Sequence, residues 1–134
     1  MTIAGLALRN AVHQALATDP TLTALLGGAK VYAEPPKAAE FPYVTIGPAV
    51  TLEDGGTENH NLAVHGWSRR GGHREAHMIA GALLQALDDA PLALDGQRLV
   101  NLKFAVADVR NEDDGHTYHA LVRFRAMTEP DAMA

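Results

Sequence analysis

Residues 62–104 constrain the fold of this chain more than any other stretch of its 134 residues. An alternating run at 62–68 predicts a β-strand, and two glycines at 71–72 predict the turn after it. An Ala/Leu-rich segment over 72–88 has the period of a helix. Asp95-Gly96 then predicts a tight turn, which a second alternating run follows. These local signals agree with one another. The stretch contains no complete catalytic motif, which favours a structural role over an enzymatic one.

The flanking segments supply the remaining elements. Helical spacing predicts a first helix from residue 2 or 3 to 16, and Asp19-Pro20 predicts the start of a short second helix that Gly27-Gly28 ends. Strands are predicted at 31–33, 43–52 and 59–68, followed by two long strands joined by a hairpin at 111–115. Pro48 donates no ladder hydrogen bond, so it predicts an edge or a bulge within its strand.

Alternation also assigns residues to the faces of these strands. Three groups are each expected to share one apolar face: Val44, Ile46 and Val50; Val100, Leu102, Phe104 and Val106; and Tyr118, Ala120, Val122, Phe124 and Ala126. The polar segment 53–58 is expected to be a loop.

The element order predicts an α+β fold, with a single antiparallel-dominated β-sheet and two main helices packed on one face. Residues 1–128 are expected to form a single domain, and residues 129–134 a flexible C-terminal tail.

Composition limits the classes of function. The formal net charge of −5 argues against strong non-specific binding to nucleic acid, which requires a basic surface. The absence of cysteine leaves no disulfide, thiolate metal ligand or thiol nucleophile. The N-terminus lacks the pattern of a signal peptide, and no window approaches the roughly 20 apolar residues of a membrane span. We therefore expect a soluble protein made inside the cell, with no membrane partner.

The histidines suggest a metal site, but weakly. His73 and His77 have the i, i+4 spacing that can bind zinc on a helix, yet Arg74 stands where the metalloprotease motif has its glutamate. Two exposed histidines are the favoured interpretation, and a small metal-dependent hydrolase using His73 and His77 is the alternative. Ser68 lacks the glycine frame of a nucleophile elbow. We predict no enzyme activity, catalytic residue, metal or cofactor.

The sheet face opposite the helices carries an unusual mixture of side chains. The predicted faces place seven residues there: His65, Trp67, Lys103, His119, Leu121, Arg123 and Arg125. Aromatic, aliphatic and arginine side chains together are typical of interface cores. Gly81 lies on the outward side of its predicted helix, where glycine destabilises by about 1 kcal/mol relative to alanine, so it suggests close approach of another backbone.

Segments along nearly the whole chain, from about residue 6 to 128, resemble one family. The matching segments are Leu22-Thr-Ala-Leu-Leu-Gly-Gly with Val31-Tyr32, Phe41-Pro-Tyr-Val-Thr-Ile-Gly, Val64-His-Gly-Trp-Ser-Arg, Gly71-Gly72, Glu75-Ala76, Leu87-Asp-Asp-Ala-Pro-Leu and Arg123-Phe-Arg-Ala-Met-Thr. In this order and spacing the sequence resembles the small tail-completion, or tail-terminator, proteins of long-tailed bacteriophages and gene transfer agents.

The resemblance implies an α+β structural virion protein that forms a hexameric ring at the head-proximal end of the tail tube. Such a ring ends tube polymerisation and joins the tail to the head. Its implied partners are other copies of itself, the tail tube protein and a head–tail connector or stopper protein, while DNA passes through the lumen without specific binding. The implied location is the virion tail, after synthesis in the bacterial cytoplasm. A head-closure or connector protein of the neck is the alternative within the same setting.

On this interpretation two acidic loops become candidate ring contacts. Their residues Glu53, Asp54, Glu112, Asp113 and Asp114 are expected to meet Arg69, Arg70, Arg123 or Arg125 of a neighbouring subunit. Trp67, Gly81, Lys103 and Leu121 complete the predicted subunit interface.

Overall fold

A five-stranded sheet with three helices forms the protein. The computed structural model describes residues 3–131. In chain order its elements are α1 (Ala4–Ala17), α2 (Pro20–Leu26), β1 (Val31–Tyr32), β2 (Tyr43–Asp54), β3 (Thr57–Ser68), α3 (Gly72–Leu87), β4 (Gln97–Asn111) and β5 (Tyr118–Pro130). No helix in this described part of the chain has the length and apolar character needed to cross a membrane.

The strand order in the sheet is β1-β2-β3-β5-β4. Only the short β1–β2 pair is parallel, and the three other pairings are antiparallel. The predicted α+β class and antiparallel-dominated sheet are therefore confirmed, with α2 as a third, short helix.

Local chemistry accounts for the helix ends that the sequence predicted. The Asp19 carboxylate accepts a hydrogen bond from the Leu22 backbone N–H at 2.9 Å, and Pro20 occupies the first turn of α2. Gly27 ends this helix in the left-handed conformation with φ of 76°. Because α2 is only seven residues long, these end signals and the burial of Leu22 and Leu26 define it.

All three helices contribute to a single hydrophobic core on one face of the sheet. The largest fully buried apolar side chains are Phe124, Leu8, Leu16, Leu22, Leu26, Leu62, Ile79, Leu83, Leu87, Leu102 and Val12. The stripe predicted on α3 is confirmed, because Ala76, Ile79, Ala80, Leu83 and Leu87 are all buried.

A bulge at Pro48 changes the faces of β2. The register shifts between Ile46, opposite Val64, and Ala49, opposite Leu62, so β2 holds one extra residue at this point. The bulge that Pro48 predicted is confirmed, but the face predicted for Val50 is wrong. Each side chain after the extra residue turns to the other side, so Val44 and Ile46 are buried whereas Val50 is 58% exposed.

Similar irregularities correct the prediction for β4. Its pairing with β5 shifts between Leu99 and Asn101 and again between Phe104 and Val106. Among the four residues predicted to share an apolar face, only Leu102 is buried, while Val100, Phe104 and Val106 are exposed. Strict alternation fails because two extra residues break the period of this edge strand.

The ends of two strands also differ from the sequence prediction. Glu53 and Asp54 belong to β2, and the expected polar loop is reduced to a tight turn at Gly55-Gly56, whose φ values of 56° and 98° suit glycine. Glu129 and Pro130, assigned by the sequence to a flexible tail, pair with Arg98 and Gln97 at the end of β5. Residues 132–134 of the predicted tail lie outside the described residues.

Two glycines of this fold should respond oppositely to substitution by alanine. A Cβ on Gly66 would lie 2.6 Å from Ile79 Cγ2, so Gly66→Ala should destabilise the monomer by about 1–3 kcal/mol. A Cβ on Gly81 would meet no atom of the described residues within 4 Å, so Gly81→Ala should stabilise α3 by up to ~1 kcal/mol. Urea unfolding of both variants measures the two effects. If Gly66→Ala unfolds at the same urea concentration as the unchanged protein, α3 does not pack against β3 as described.

Candidate interaction surface on the open sheet face

The sheet face away from the helices is an ordered set of cross-strand rows, which we call the open face. Opposed residues in a sheet share a face, so the register defines its composition. The four central rows are Arg110–His119–Trp67–Tyr43, Asp108–Leu121–His65–Thr45, Val106–Arg123–Ala63 and Lys103–Arg125–Asn61–Val50. All seven residues predicted for this face lie on it. Their role as subunit contacts stays a prediction.

Aromatic rings stack across one end of the open face. The Trp67 and His119 ring centroids are 4.1 Å apart with an interplanar angle of 7°, and Tyr43 stacks beyond Trp67 at 6.5 Å. The Trp67 indole N–H donates a hydrogen bond to Thr45 Oγ1 at 3.0 Å. Trp67 is therefore held by its own chain, and it presents a rigid aromatic surface instead of a mobile side chain.

Two histidines and one carboxylate form a hydrogen-bonded chain beside this stack. Glu112 Oε1 lies 2.9 Å from His119 Nδ1, and His119 Nε2 lies 2.7 Å from His65 Nδ1. Because the carboxylate accepts from the His119 Nδ1–H, His119 Nε2 accepts in turn from the His65 Nδ1–H. Glu112, predicted as a contact to a neighbouring subunit, is thus engaged within its own chain.

The surroundings of this pair favour neutral imidazoles. Burial is the main cause that lowers the pKa of His65, and the nearby His119 and Arg123 lower it further. Burial also lowers the pKa of His119, although the Glu112 carboxylate opposes the shift. Buried His60, held between Thr51 and Thr128 hydroxyls at 2.8 Å each, likewise has a pKa lowered by burial.

The cations of the open face differ in how they are engaged. Lys103 forms an ion pair with Asp89, from the segment that follows α3. Arg123 and Arg125 make no ion pair or side-chain hydrogen bond within residues 3–131. They are both exposed on the same strand. These two guanidinium groups are therefore free to bind carboxylates of another molecule.

Arg69 is committed to its own chain. Its Nε donates to Thr117 Oγ1 at 3.0 Å, its Nη2 lies 3.9 Å from Asp114 Oδ2, and its guanidinium stacks 4.2 Å above the Phe41 ring. Hydrogen bonds from the Thr117 hydroxyl and from the His116 backbone lower the pKa of Asp114 to about 2. The loop at 112–114 thus contacts Arg69 of the same subunit. This contact within the subunit competes with the expected contact between the loop and Arg69 of a neighbouring subunit. Arg70 is exposed.

The second acidic segment lies at the opposite end of the sheet. Asp54 lies opposite Thr57 of β3, and Arg123 lies opposite Ala63 of β3. Thr57 and Ala63 are six residues apart along this strand, which at the rise of a β-strand is roughly 20 Å. Neither Glu53 nor Asp54 forms an ion pair within the part of the chain that the structure describes. A carboxylate at this end can reach Arg123 only on another copy.

Gly81 lies outside the open face. It lines a shallow groove of about 650 Å³ between α2 and α3, together with Ala24, Leu25 and Met78. No atom of residues 3–131 lies close to the position of a Cβ on Gly81, so packing among these residues does not require glycine there.

The residues considered for catalysis are dispersed or structurally engaged. The His73 ring meets the Tyr118 ring edge-on at 4.5 Å, and the Ser68 hydroxyl donates to Glu75 Oε1 at 2.6 Å. Within residues 3–131, no group of three or more histidine, aspartate or glutamate side chains is arranged to hold a metal ion. The arrangement on the open face can stack, form ion pairs and hydrogen-bond with a partner.

Sequence reasoning missed several open-face residues. Tyr43, Thr45, Asp108 and Arg110 join the predicted residues only through the strand register, and the hydrogen bond from His119 to Glu112 depends on how the β4–β5 hairpin bends. The alternation of β5 was the available signal for these residues. If β4 had been assumed to pair with β5 as an antiparallel hairpin, this alternation would have located Arg110 beside His119.

The fold and the open face define a small α+β protein whose open sheet face combines aromatic and histidine side chains with arginines that are unpaired among residues 3–131. Comparison with known proteins identifies the class further: residues 10–129 match the family model described as Tail completion protein gp17. The chain is 34% identical over 103 residues to the Tail completion protein gp17 of Bacillus phage SPP1, covering 72% of this chain and 74% of that protein. It belongs to this family of tail completion proteins.

Solved structures agree with this assignment. A chain of the virion of a native gene transfer agent particle superposes with a TM-score of 0.85 and 30% identity, covering 96% of this chain and 99% of that chain. Another solved chain, 10% identical with a TM-score of 0.56 and covering 94% of this chain and 92% of that one, shares the fold alone. The protein is thus similar to a tail completion protein of a phage and to a chain of a gene transfer agent virion.

The three histidines with lowered pKa values should make the protein less stable in mild acid. Their unfolded forms bind protons below about pH 6.5, whereas the folded forms resist protonation, so unfolding is favoured there. The free energy of unfolding should be highest above this pH and fall as the pH drops from 6.5 toward the lowered values. Urea titrations between pH 7.5 and 5 measure this loss.

Replacing the open-face pair should reduce that pH dependence. His65→Gln combined with His119→Gln leaves only His60 to contribute, so the slope of stability against pH should decrease. His77→Gln, which removes an exposed imidazole of α3, is the matched control. An unchanged slope in the double variant would contradict the assigned cause.

Proposed function

We propose that this protein is a tail terminator that forms a hexameric ring at the head-proximal end of the tail tube. The ring ends polymerisation of the tube and joins the tail to the head. The observation that carries the proposal is the likeness to a chain of a gene transfer agent virion, which extends over nearly the whole of both chains. The family match over residues 10–129 supports the same assignment.

The distribution of charge supports assembly from repeated head-to-tail contacts. Arg123 and Arg125 are unpaired on the open face among the described residues. Asp54, which forms no ion pair within the same residues, lies at the far end of the sheet, too distant to meet Arg123 within one subunit. Complementary groups on different parts of one surface produce heterologous contacts, which close into a ring when the rotation between subunits permits.

The proposed partners follow from this position in the particle. The ring contacts other copies of itself, the tail tube protein on one side and a head–tail connector or stopper protein on the other. Because the chain carries a formal charge of −5, DNA can pass through the lumen without strong adhesion to it. The assembly needs neither enzyme activity nor a cofactor. The protein is made in the bacterial cytoplasm and ends in the virion tail.

Removal of the protein should abolish control of tube length. Without a terminator, tube subunits continue to add, so tails made without this protein should be long and variable. Negative-stain imaging of tube lengths, with and without the protein supplied from a plasmid, measures the effect. Tubes of normal length that fail only to join heads would contradict termination, and would indicate a head-closure or connector protein of the neck.

Reversal of one charge on the open face should weaken the ring. Arg123→Glu and Asp54→Arg should each reduce ring formation on tails, because each replaces an attraction between subunits with repulsion. The double variant should recover part of the assembly, since the swapped charges attract again. The fraction of tails with a terminal ring, counted in electron micrographs, is the readout.

Arg98→Glu provides the control for surface charge, because Arg98 is already paired with Glu129 at the margin of the sheet. Circular dichroism of each variant checks that the monomer folds. If the double variant assembles no better than either single variant, Asp54 and Arg123 are not partners across the interface.

A further inference from the structure

The exposed apolar side chains of this protein are concentrated at the two edges of its sheet. Large hydrophobic side chains that remain between 38% and 75% exposed within residues 3–131 are Ile3, Leu6, Val50, Leu52, Met78, Val100, Phe104 and Val106. All except Met78 belong to β2, to β4 or to the start of α1. The start of α1 lies beside β2, because the two elements line one cavity that includes Ala49 and Thr51. Isolated exposed apolar residues are normal, whereas this concentration requires an explanation.

Each edge strand is covered by its own chain over only part of its length. The Arg9 guanidinium donates to the Ile46 and Gly47 carbonyls at 3.0 Å each, which covers β2 next to β1. On β4, the Asp89 N–H donates to the Leu102 carbonyl at 2.8 Å. The Phe104 N–H donates to the Asp88 carboxylate at 2.9 Å.

Two stretches of edge remain uncovered in the described structure: 49–54 of β2 and 106–111 of β4. Apart from the ladder hydrogen bonds to their one neighbouring strand, the backbone groups of both stretches have one further partner among the described residues: the Thr57 hydroxyl donates to the Asp54 carbonyl at 2.8 Å, where the β2–β3 turn begins. Both stretches span six residues. Soluble proteins normally protect such edges, because their unpaired N–H and C=O groups can pair with another strand.

The two uncovered edges are compatible in direction. β2 is antiparallel to β3, β3 to β5 and β5 to β4, so β2 and β4 run in opposite directions. A second copy placed with its β2 beside β4, and with both open faces on the same side, therefore meets β4 as an antiparallel partner. Each copy has one edge of each kind, so the contact can repeat from copy to copy.

We propose that the edge of β4 at 106–111 pairs with the edge of β2 at 49–54 in a second copy of this chain, so that one continuous β-sheet runs around the ring. This inference rests on the proposed ring and names the contact that closes it.

The contact would bury apolar groups on both sides of the joined sheet. When the two stretches pair over their full length, Val106 of one copy lies opposite Asp54 of the next on the open face, and Leu52 is its diagonal neighbour. On the helix side, Val109 lies opposite Thr51, beside the start of the neighbouring α1, where Ile3 and Leu6 are exposed. Asp54, at the end of the β2 stretch, reaches the side of the open face that carries Arg123. The edge contact and the charge contact thus belong to one interface.

Cysteine cross-linking tests the pairing directly, because the natural chain contains no cysteine. We would combine Val106→Cys with Val50→Cys, Leu52→Cys or Asp54→Cys, so that neighbouring registers are sampled on one face. Within one chain three strand spacings, roughly 14 Å, separate these edges, whereas a disulfide requires Cα atoms within roughly 7 Å. Any bond formed must join two copies.

Tails carrying each variant would be oxidised, then separated on a non-reducing gel and imaged. At least one double variant should give a ladder of oligomers that ends at one closed species, while each single variant stays monomeric. Met78→Cys combined with Leu52→Cys controls for random collision, because Met78 is exposed on α3, away from both edges.

Other outcomes would overturn the pairing. Dimers from Val106→Cys alone would indicate a two-fold contact between β4 strands. Terminal rings in the images without a cross-link in any double variant would reject the edge contact and leave the proposed ring intact. Absence of both rings and length control would reject the proposed function and the edge contact with it.

Discussion

The pairing of β3 with β5 in the centre of the sheet is the constraint on which the rest of this structure depends. It runs without a register shift from Glu58 opposite Thr128 to Ser68 opposite Tyr118. Because side chains alternate along both strands, this one register places the residues of the hydrophobic core on one face and the histidine pair with the free arginines on the other. A slip of one residue would exchange the two faces, so the core and the open face are two consequences of the same pairing.

The outer strands depart from this regularity. Bulges in β2 and β4 reverse the alternation near each edge, which leaves Val50 and Val106 exposed instead of buried. The covering groups, Arg9 on one edge and the Asp88-Asp89 segment on the other, stop short of the strand ends. A regular centre thus gives the monomer its core, whereas the irregular margins leave apolar side chains exposed.

The sequence was sufficient for the elements whose signals are local. The cap at Asp19, the end of α2 at Gly27, the apolar stripe of α3 and the alternation of β5 were all predicted, because each depends on residues within a few positions of one another. The position of Trp67 and Arg123 on a shared face followed from the same alternation. The extra residues in β4 could not be predicted, since a bulge is defined by the partner strand and leaves no local period of its own.

The sequence by itself determined the α+β class, the buried stripes and the resemblance to tail completion proteins, because periodicity and residue order carry that information. Tertiary structure alone decided which charged groups are free. Arg69 reaches Asp114 and Glu112 reaches His119 within one subunit, whereas Arg123 and Arg125 find no partner among the described residues. The physical reason is distance in space: an ion pair requires atoms within about 4 Å, and only the folded sheet brings residues separated by tens of positions so close together.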